Sequence, residues 1–86
     1  MAPGAARATP IYPDLAIKAG IEGKVVVRLL VGKNGTVRQA VVEHSTADIL
    51  NDAALDAARL FRFTPAIMSN GPVTVWVLFP FTFRLR

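Results

Sequence analysis

The sequence predicts an α+β domain: two helices packed on one face of a three-stranded antiparallel sheet, in the order helix, hairpin, helix, strand. Three observations predict it. Two stretches, Gly23–Val31 and residues 73–86, alternate with period two and are rich in β-branched and aromatic residues. Asn34-Gly35 follows the first of them, and Asn-Gly between apolar runs signals a tight hairpin. Between hairpin and last stretch, Leu50, Ala53, Ala54, Ala57, Ala58 and Phe61 recur at helical spacing.

The elements can be justified in order. Residues 1–9 are rich in Ala, Pro and Gly and read as a linker remnant, so that order begins near Pro10 and the domain spans residues 10–86. Pro13 suits the first turn of a helix over 13–19, and Asp14 suits its positive end. Leu15, Ala16 and Ala19 supply the apolar stripe, and Gly20 can close the helix in a left-handed conformation. In the first strand Val25, Val27, Leu29 and Val31 share one face, while Lys24, Val26, Arg28 and Leu30 share the other. The return strand, 36–45, alternates imperfectly (Val37, then Ala40 and Val42), which calls for a bulge between them. Asp48 is the expected N-cap of the second helix, which ends before Thr64-Pro65 because a residue preceding proline avoids the α region. Ser69-Asn70-Gly71-Pro72 reads as a turn.

The last strand places itself in the sheet. Val73, Val75, Val77, Phe79, Phe81 and Phe83 form a continuous core face, and Pro80 lies on the alternate set. Proline has no N–H to donate, so it is tolerable only where the even-numbered residues direct their backbone to an open edge. The last strand is therefore an edge strand, and the strand order is second–first–third.

Composition bounds the function. Eighty-six residues make one domain, and 52% hydrophobic residues can fill its core without staples. The absence of cysteine excludes disulfides and thiolate metal sites. No run reaches the about 18 apolar residues of a membrane span, and residues 1–10 lack the apolar centre of a signal peptide; a membrane anchor is expected to lie outside this chain. The net charge is +4, with the cations dispersed. His44 and Ser45 are too close along one strand to form an oriented base–nucleophile pair. Asp48, Asp52 and Asp56 share a helix face without a histidine, which suits solvation or capping better than a metal. No enzyme activity and no cofactor are expected.

Tyr12-Pro13, Ala16, Gly20, Gly23-Lys24-Val25 and Asn34-Gly35-Thr36-Val37 form an ordered pattern. It continues through Ser45-Thr46, Leu50, Ala53-Ala54-Leu55-Asp56-Ala57 and Arg62-Phe63-Thr64-Pro65-Ala66 to Pro72-Val73, Trp76-Val77, Pro80 and Phe83-Arg84-Leu85. Across nearly the whole chain this resembles the C-terminal domain of the energy transducer TonB. Ala47, Asn51 and Leu60-Phe61 depart from the family pattern, at a turn, a capping position and a packing position.

The resemblance implies a periplasmic protein-binding domain of a transducer tethered to the inner membrane beside a proton-driven motor complex. It implies TonB-dependent outer-membrane transporters as partners, gripped at their extended TonB box during uptake of iron chelates or cobalamin-like ligands. The residues supply a matching surface: an open edge strand can accept an extended peptide as an added strand. Its expected partner-binding residues are Thr74, Val75, Trp76, Val77 and Leu78. Pro10, Ile11 and Tyr12 join them by resemblance, since in the family this region lies near the bound peptide; as sequence they read equally as linker. The edge could instead be capped by the N-terminal segment or by a second copy, giving a homodimer. Other readings are a TolA-like or sensor-fused interaction module and a small basic nucleic-acid-binding domain. For the latter Lys24, Arg28 and Trp76 share the open face, but one aromatic is a thin stacking platform, and no nucleic-acid partner is expected.

Overall fold

The structure is a computed structural model and describes residues 5–86. Its centre is a three-stranded antiparallel sheet of β2 (Gly23–Val31), β3 (Val37–Ser45) and β7 (Val75–Phe83), in the order β3-β2-β7. The central position of β2 explains its apolarity, because both flanks are hydrogen-bonded and one face is wholly buried. Val25, Val27, Leu29 and Val31 are completely inaccessible, and the alternate residues are not. Helices α1 (Asp14–Ala19) and α2 (Asn51–Arg59) cover this face.

Alanine sets the helix-to-sheet distance. Ala54, Ala57 and Ala58 of α2 and Ala16 of α1 are buried, so backbone approaches sheet and the larger side chains come from elsewhere. Phe61, just past α2, fills the centre. Its ring meets Phe79 edge-on at 5.0 Å and lies 5.7 Å from Phe81. In α1 only Ala16 is buried; Leu15 and Ala19 are exposed, so the expected three-residue stripe narrows to one. The short helix touches the core at one turn, and Gly20 closes it with φ 69° as its sequence required.

The β2–β3 connection is the expected Asn-Gly turn. Gly35 has φ 84°, and the Asn34 side-chain oxygen accepts from the Thr36 amide (3.2 Å) and hydroxyl (2.7 Å). The expected bulge falls at Arg38, where the register passes from Leu30↔Gln39 to Val31↔Val37. A second bulge, at Glu43, was not anticipated.

Other expectations are corrected. Asp48 does not cap α2. It opens a 3-10 turn, Asp48–Leu50, that runs into the helix, and its N-cap residue is Ala47, which has no side chain to offer. Ser45 organises this entry instead, accepting from the Ala47 amide at 3.2 Å and donating to the Asn51 side-chain oxygen at 2.5 Å. The last strand does not run unbroken from residue 73. It is preceded by a short hairpin of β5 (Ala66–Met68) and β6 (Gly71–Val73), separated from β7 by Thr74; its turn is Ser69–Asn70, while Gly71 and Pro72 of the expected turn belong to β6. Order also begins before Pro10: β1 (Ala5–Ala6) pairs with β4 (Arg62–Phe63). The linker expectation for residues 1–4 lies outside the described residues.

Candidate functional site: the open edge of the last strand

Strand β7 ends the sheet, with β2 on one flank and, among the described residues, no strand on the other. Which backbone groups face outward follows from parity. The Thr46 amide donates to Lys24 O (3.0 Å) and the Gly32 amide to Thr36 O (2.8 Å), so the even residues of β2 bond toward β3. Its odd residues therefore bond toward β7, where Val27 is opposite Phe79 and Leu29 opposite Val77. Odd residues of β7 are thus committed to β2. The N–H and C=O groups of Trp76 and Leu78 point away from the sheet, as does Pro80, opposite Val26, where a missing N–H leaves no gap in the ladder. The sequence argument that made β7 an edge strand holds in full.

The two edges differ. The β2–β7 register runs from Gly23↔Phe83 to Val31↔Val75 without a shift, whereas β3 carries both bulges. Bulges spoil an edge as a template for another strand. The β3 edge is blunted, and β7 is the regular one.

The structure divides the expected residues. Thr74 is exposed at the break before β7 and shares a concavity of about 630 Å³ with Lys33, Asn34, Thr36 and Arg38. Val75 and Val77 are half-buried on the core side. Trp76 and Leu78 are 47% and 61% exposed on the face away from the helices. Residues 10–12 do not join this edge cluster. Pro10 and Ile11 line a different concavity, of about 360 Å³, against Ala53, Asp56, Ala57 and Leu60 of the second helix and its end. Tyr12 is a packing residue: its hydroxyl donates to the Ile21 carbonyl, and its ring meets Phe83 edge-on at 5.4 Å. Burial and the nearby Glu22 carboxylate raise its pKa above the ordinary 10.0.

Sequence reasoning missed how Arg28 and Glu43 serve the edge. The Arg28 guanidinium lies over the Trp76 ring, 4.8 Å from its centre, and Arg28 Nε lies 3.4 Å from Glu43 Oε2. Register carries the signal: Trp76 is opposite Leu30, so Arg28 is its diagonal neighbour. This stack occupies one face of the Trp76 ring. The Ser45 hydroxyl is engaged at the α2 entry, and Asp56 pairs with Arg59 at 3.1 Å. Among the described residues no three His, Asp or Glu side chains are grouped to hold a metal, and no helix is long and apolar enough to cross a membrane.

The geometry defines a small α+β domain whose distinctive surface is one regular sheet edge that no strand pairs with among the described residues. Comparison with known proteins narrows the class. The family model for the Gram-negative bacterial TonB protein C-terminal matches residues 8–85, and the chain belongs to that family. It is 32% identical over 82 residues to Protein TonB of Vibrio cholerae, covering 94% of this chain and 34% of that protein. It is 35% identical over 78 residues to Protein TonB of Xanthomonas campestris, covering 90% and 35%. The solution NMR structure of the Pseudomonas aeruginosa TonB CTD is similar with a TM-score of 0.75 and 26% identity, covering 98% of this chain and 85% of that one. The chain thus spans about a third of the length of the curated relatives it matches.

Proposed function

We propose that this domain is the partner-gripping end of a TonB-type energy transducer. In this reading the TonB box of an outer-membrane transporter adds to β7 as a further antiparallel or parallel strand, in support of uptake of iron chelates or cobalamin-like ligands. The working place is the periplasm, with the tether to the inner membrane and its proton-driven motor supplied by a region upstream of this chain. The observation that supports it is the contrast between the edges: a nine-residue strand with unbroken register on one side, a twice-bulged strand on the other. The added strand pairs with the backbone of Trp76 and Leu78 and loses register at Pro80. A few such bonds, each contributing about 0.5–1.5 kcal/mol net, give the modest affinity that suits a transient mechanical coupling.

Titration of isotope-labelled protein with a synthetic TonB-box peptide tests this. The Trp76 and Leu78 amides shift and gain protection from exchange, while those of Val41 and Val42 on β3 do not. Absence of saturable shifts, or shifts centred on β3, overturns the reading. So does a concentration-dependent dimer through β7 that the peptide fails to displace.

A further inference from the structure

Both legs of the β5–β6 hairpin leave the body of the domain at the β2–β3 turn. Pro65, just before β5, lies beside Gly35, and Thr74, just after β6, lies beside Lys33 and Arg38. The hairpin carries Ile67 and Met68 in succession, 67% and 64% exposed. Adjacent strand residues project to opposite faces, so at this point neither face is covered. This is a wedge and not a groove.

The charged residues around its base are all cations, among the neutral Asn34, Thr36 and Thr74. Lys33, Arg38 and Arg62 are all exposed, and a bridge between Thr36 and Arg62 holds the last beside the turn. The six acidic residues are Asp14, Glu22, Glu43, Asp48, Asp52 and Asp56, so residues 23–42 and 57–86 contain none. The two ion pairs among the described residues engage Arg28 and Arg59, and none of the three cations at the hairpin base.

We propose that this end of the domain docks on an anionic lipid surface. Ile67 and Met68 enter the boundary between headgroups and acyl chains, and Lys33, Arg38 and Arg62 face lipid phosphates. An exposed apolar leg, Ile67-Met68, that stands on a cationic base matches a surface that is negative outside and apolar beneath. A single-stranded nucleic acid would satisfy the cations but would leave Ile67 and Met68 in water, since neither can stack on a base. The proposal requires no partner strand on β7 and stands apart from the transporter reading.

Co-sedimentation with vesicles tests it, using equal parts phosphatidylglycerol and phosphatidylcholine against phosphatidylcholine alone. The protein sediments with the mixed vesicles, less so at high salt, and not with the neutral ones. Lys33→Glu with Arg38→Glu lowers partitioning about tenfold or more, and Ile67→Ser with Met68→Ser lowers it about tenfold. Lys18→Glu with Arg84→Glu makes the same change in net charge elsewhere and leaves most binding intact. All of these side chains are exposed, and circular dichroism verifies that each variant is folded. Three results overturn the proposal: no sedimentation with the mixed vesicles; equal loss from both charge-reversed pairs, which would mean net charge alone; and an oligonucleotide bound through Lys33 and Arg38 with vesicle binding indifferent to Ile67 and Met68.

Discussion

The guanidinium of Arg28 in the central strand covers the ring of Trp76 in the edge strand, 4.8 Å from its centre. Glu43 holds the same arginine from the other side, so one chain of contacts crosses all three strands. Each contact is partly exposed, and such contacts contribute about 0.5–1 kcal/mol. Arg28→Ala is therefore expected to lower stability by no more than about 1 kcal/mol. Its effect on Trp76, the one tryptophan, is larger: the ring loses its cover, its emission shifts to the red and iodide quenches it more readily. Unchanged emission and quenching in Arg28→Ala would show that the stack is not held in solution.

Two left-handed glycines separate conformation from contact. Gly20 and Gly35 have φ of 69° and 84°, but a Cβ on Gly20 would meet nothing within 4 Å, whereas on Gly35 it would lie 2.0 Å from the Phe63 carbonyl oxygen. The Phe63 amide also donates to Gly35 O at 2.9 Å, so the turn cannot move away without losing that bond. Gly20→Ala is expected to cost about 1–2 kcal/mol for left-handed backbone alone. Gly35→Ala adds the collision and is expected to cost at least about 3 kcal/mol. Urea unfolding midpoints of the two variants check the order.

Phe61 is fully buried among Phe63, Phe79 and Phe81, while its neighbour Leu60 is mostly exposed beside Ile11. Phe61→Ala leaves a cavity between α2 and β7 and is expected to cost about 3–5 kcal/mol. Leu60→Ala, one residue away, is expected to cost less than about 1 kcal/mol. Equal losses in thermal melts would contradict this packing.

What the sequence made legible was whatever one local rule dictated. Val25 to Val31 alternate because a central strand over one helix layer leaves no other option, and Pro80 marked the edge because a missing N–H inside a regular, unbulged strand is tolerated only on an open flank. The features it hid depend on partners far along the chain. Ile67 and Met68 are both exposed, so the β5 leg shows no alternation, and its pairing with β6 is visible only in three dimensions. Ala5–Ala6 reads as linker because what orders it is the backbone of Arg62 and Phe63. Asp48 looked like a cap on residue type alone, but the 3-10 turn already begins at Asp48, which leaves Ala47 in the N-cap position. Of the residues expected at the site, Trp76 and Leu78 turn their backbone to the free flank of β7, Val75 and Val77 turn theirs to β2, and Tyr12 is drawn to Phe83 and the core.

The Tyr12 hydroxyl gives a pH signature. It donates to the Ile21 carbonyl, and its pKa is raised by desolvation first and by the Glu22 carboxylate second. A group whose folded pKa is raised contributes its stability in full below the unfolded value, about 10 for tyrosine, and loses it as pH climbs through the folded one. Tyr12→Phe is expected to melt below the parent protein at pH 7, with the gap closing as pH rises past 10. A gap constant up to pH 11 would mean that the phenol proton does not contribute.

Backbone parity along β7 yields the most discriminating test. Val77 is opposite Leu29 and its N–H belongs to the β2–β7 ladder, whereas the Leu78 N–H points to the free side. Proline at 77 removes an internal bond and crowds the ladder, an expected loss of about 3 kcal/mol or more. Proline at 78 removes only an outward donor, and the chain already accommodates Pro80 two residues on, so the expected cost is about 1 kcal/mol. For partner binding the ranking reverses in meaning. Leu78→Pro stays folded yet lacks one of the two donors ahead of Pro80 and presents a ring to the incoming strand, so TonB-box peptide affinity falls about tenfold or more. Val77→Pro binds poorly only in proportion to the protein it leaves unfolded. Calorimetric titration beside thermal melts of both variants separates these outcomes. If Leu78→Pro binds as well as the parent, the peptide does not pair with the free side of β7, however stable the fold.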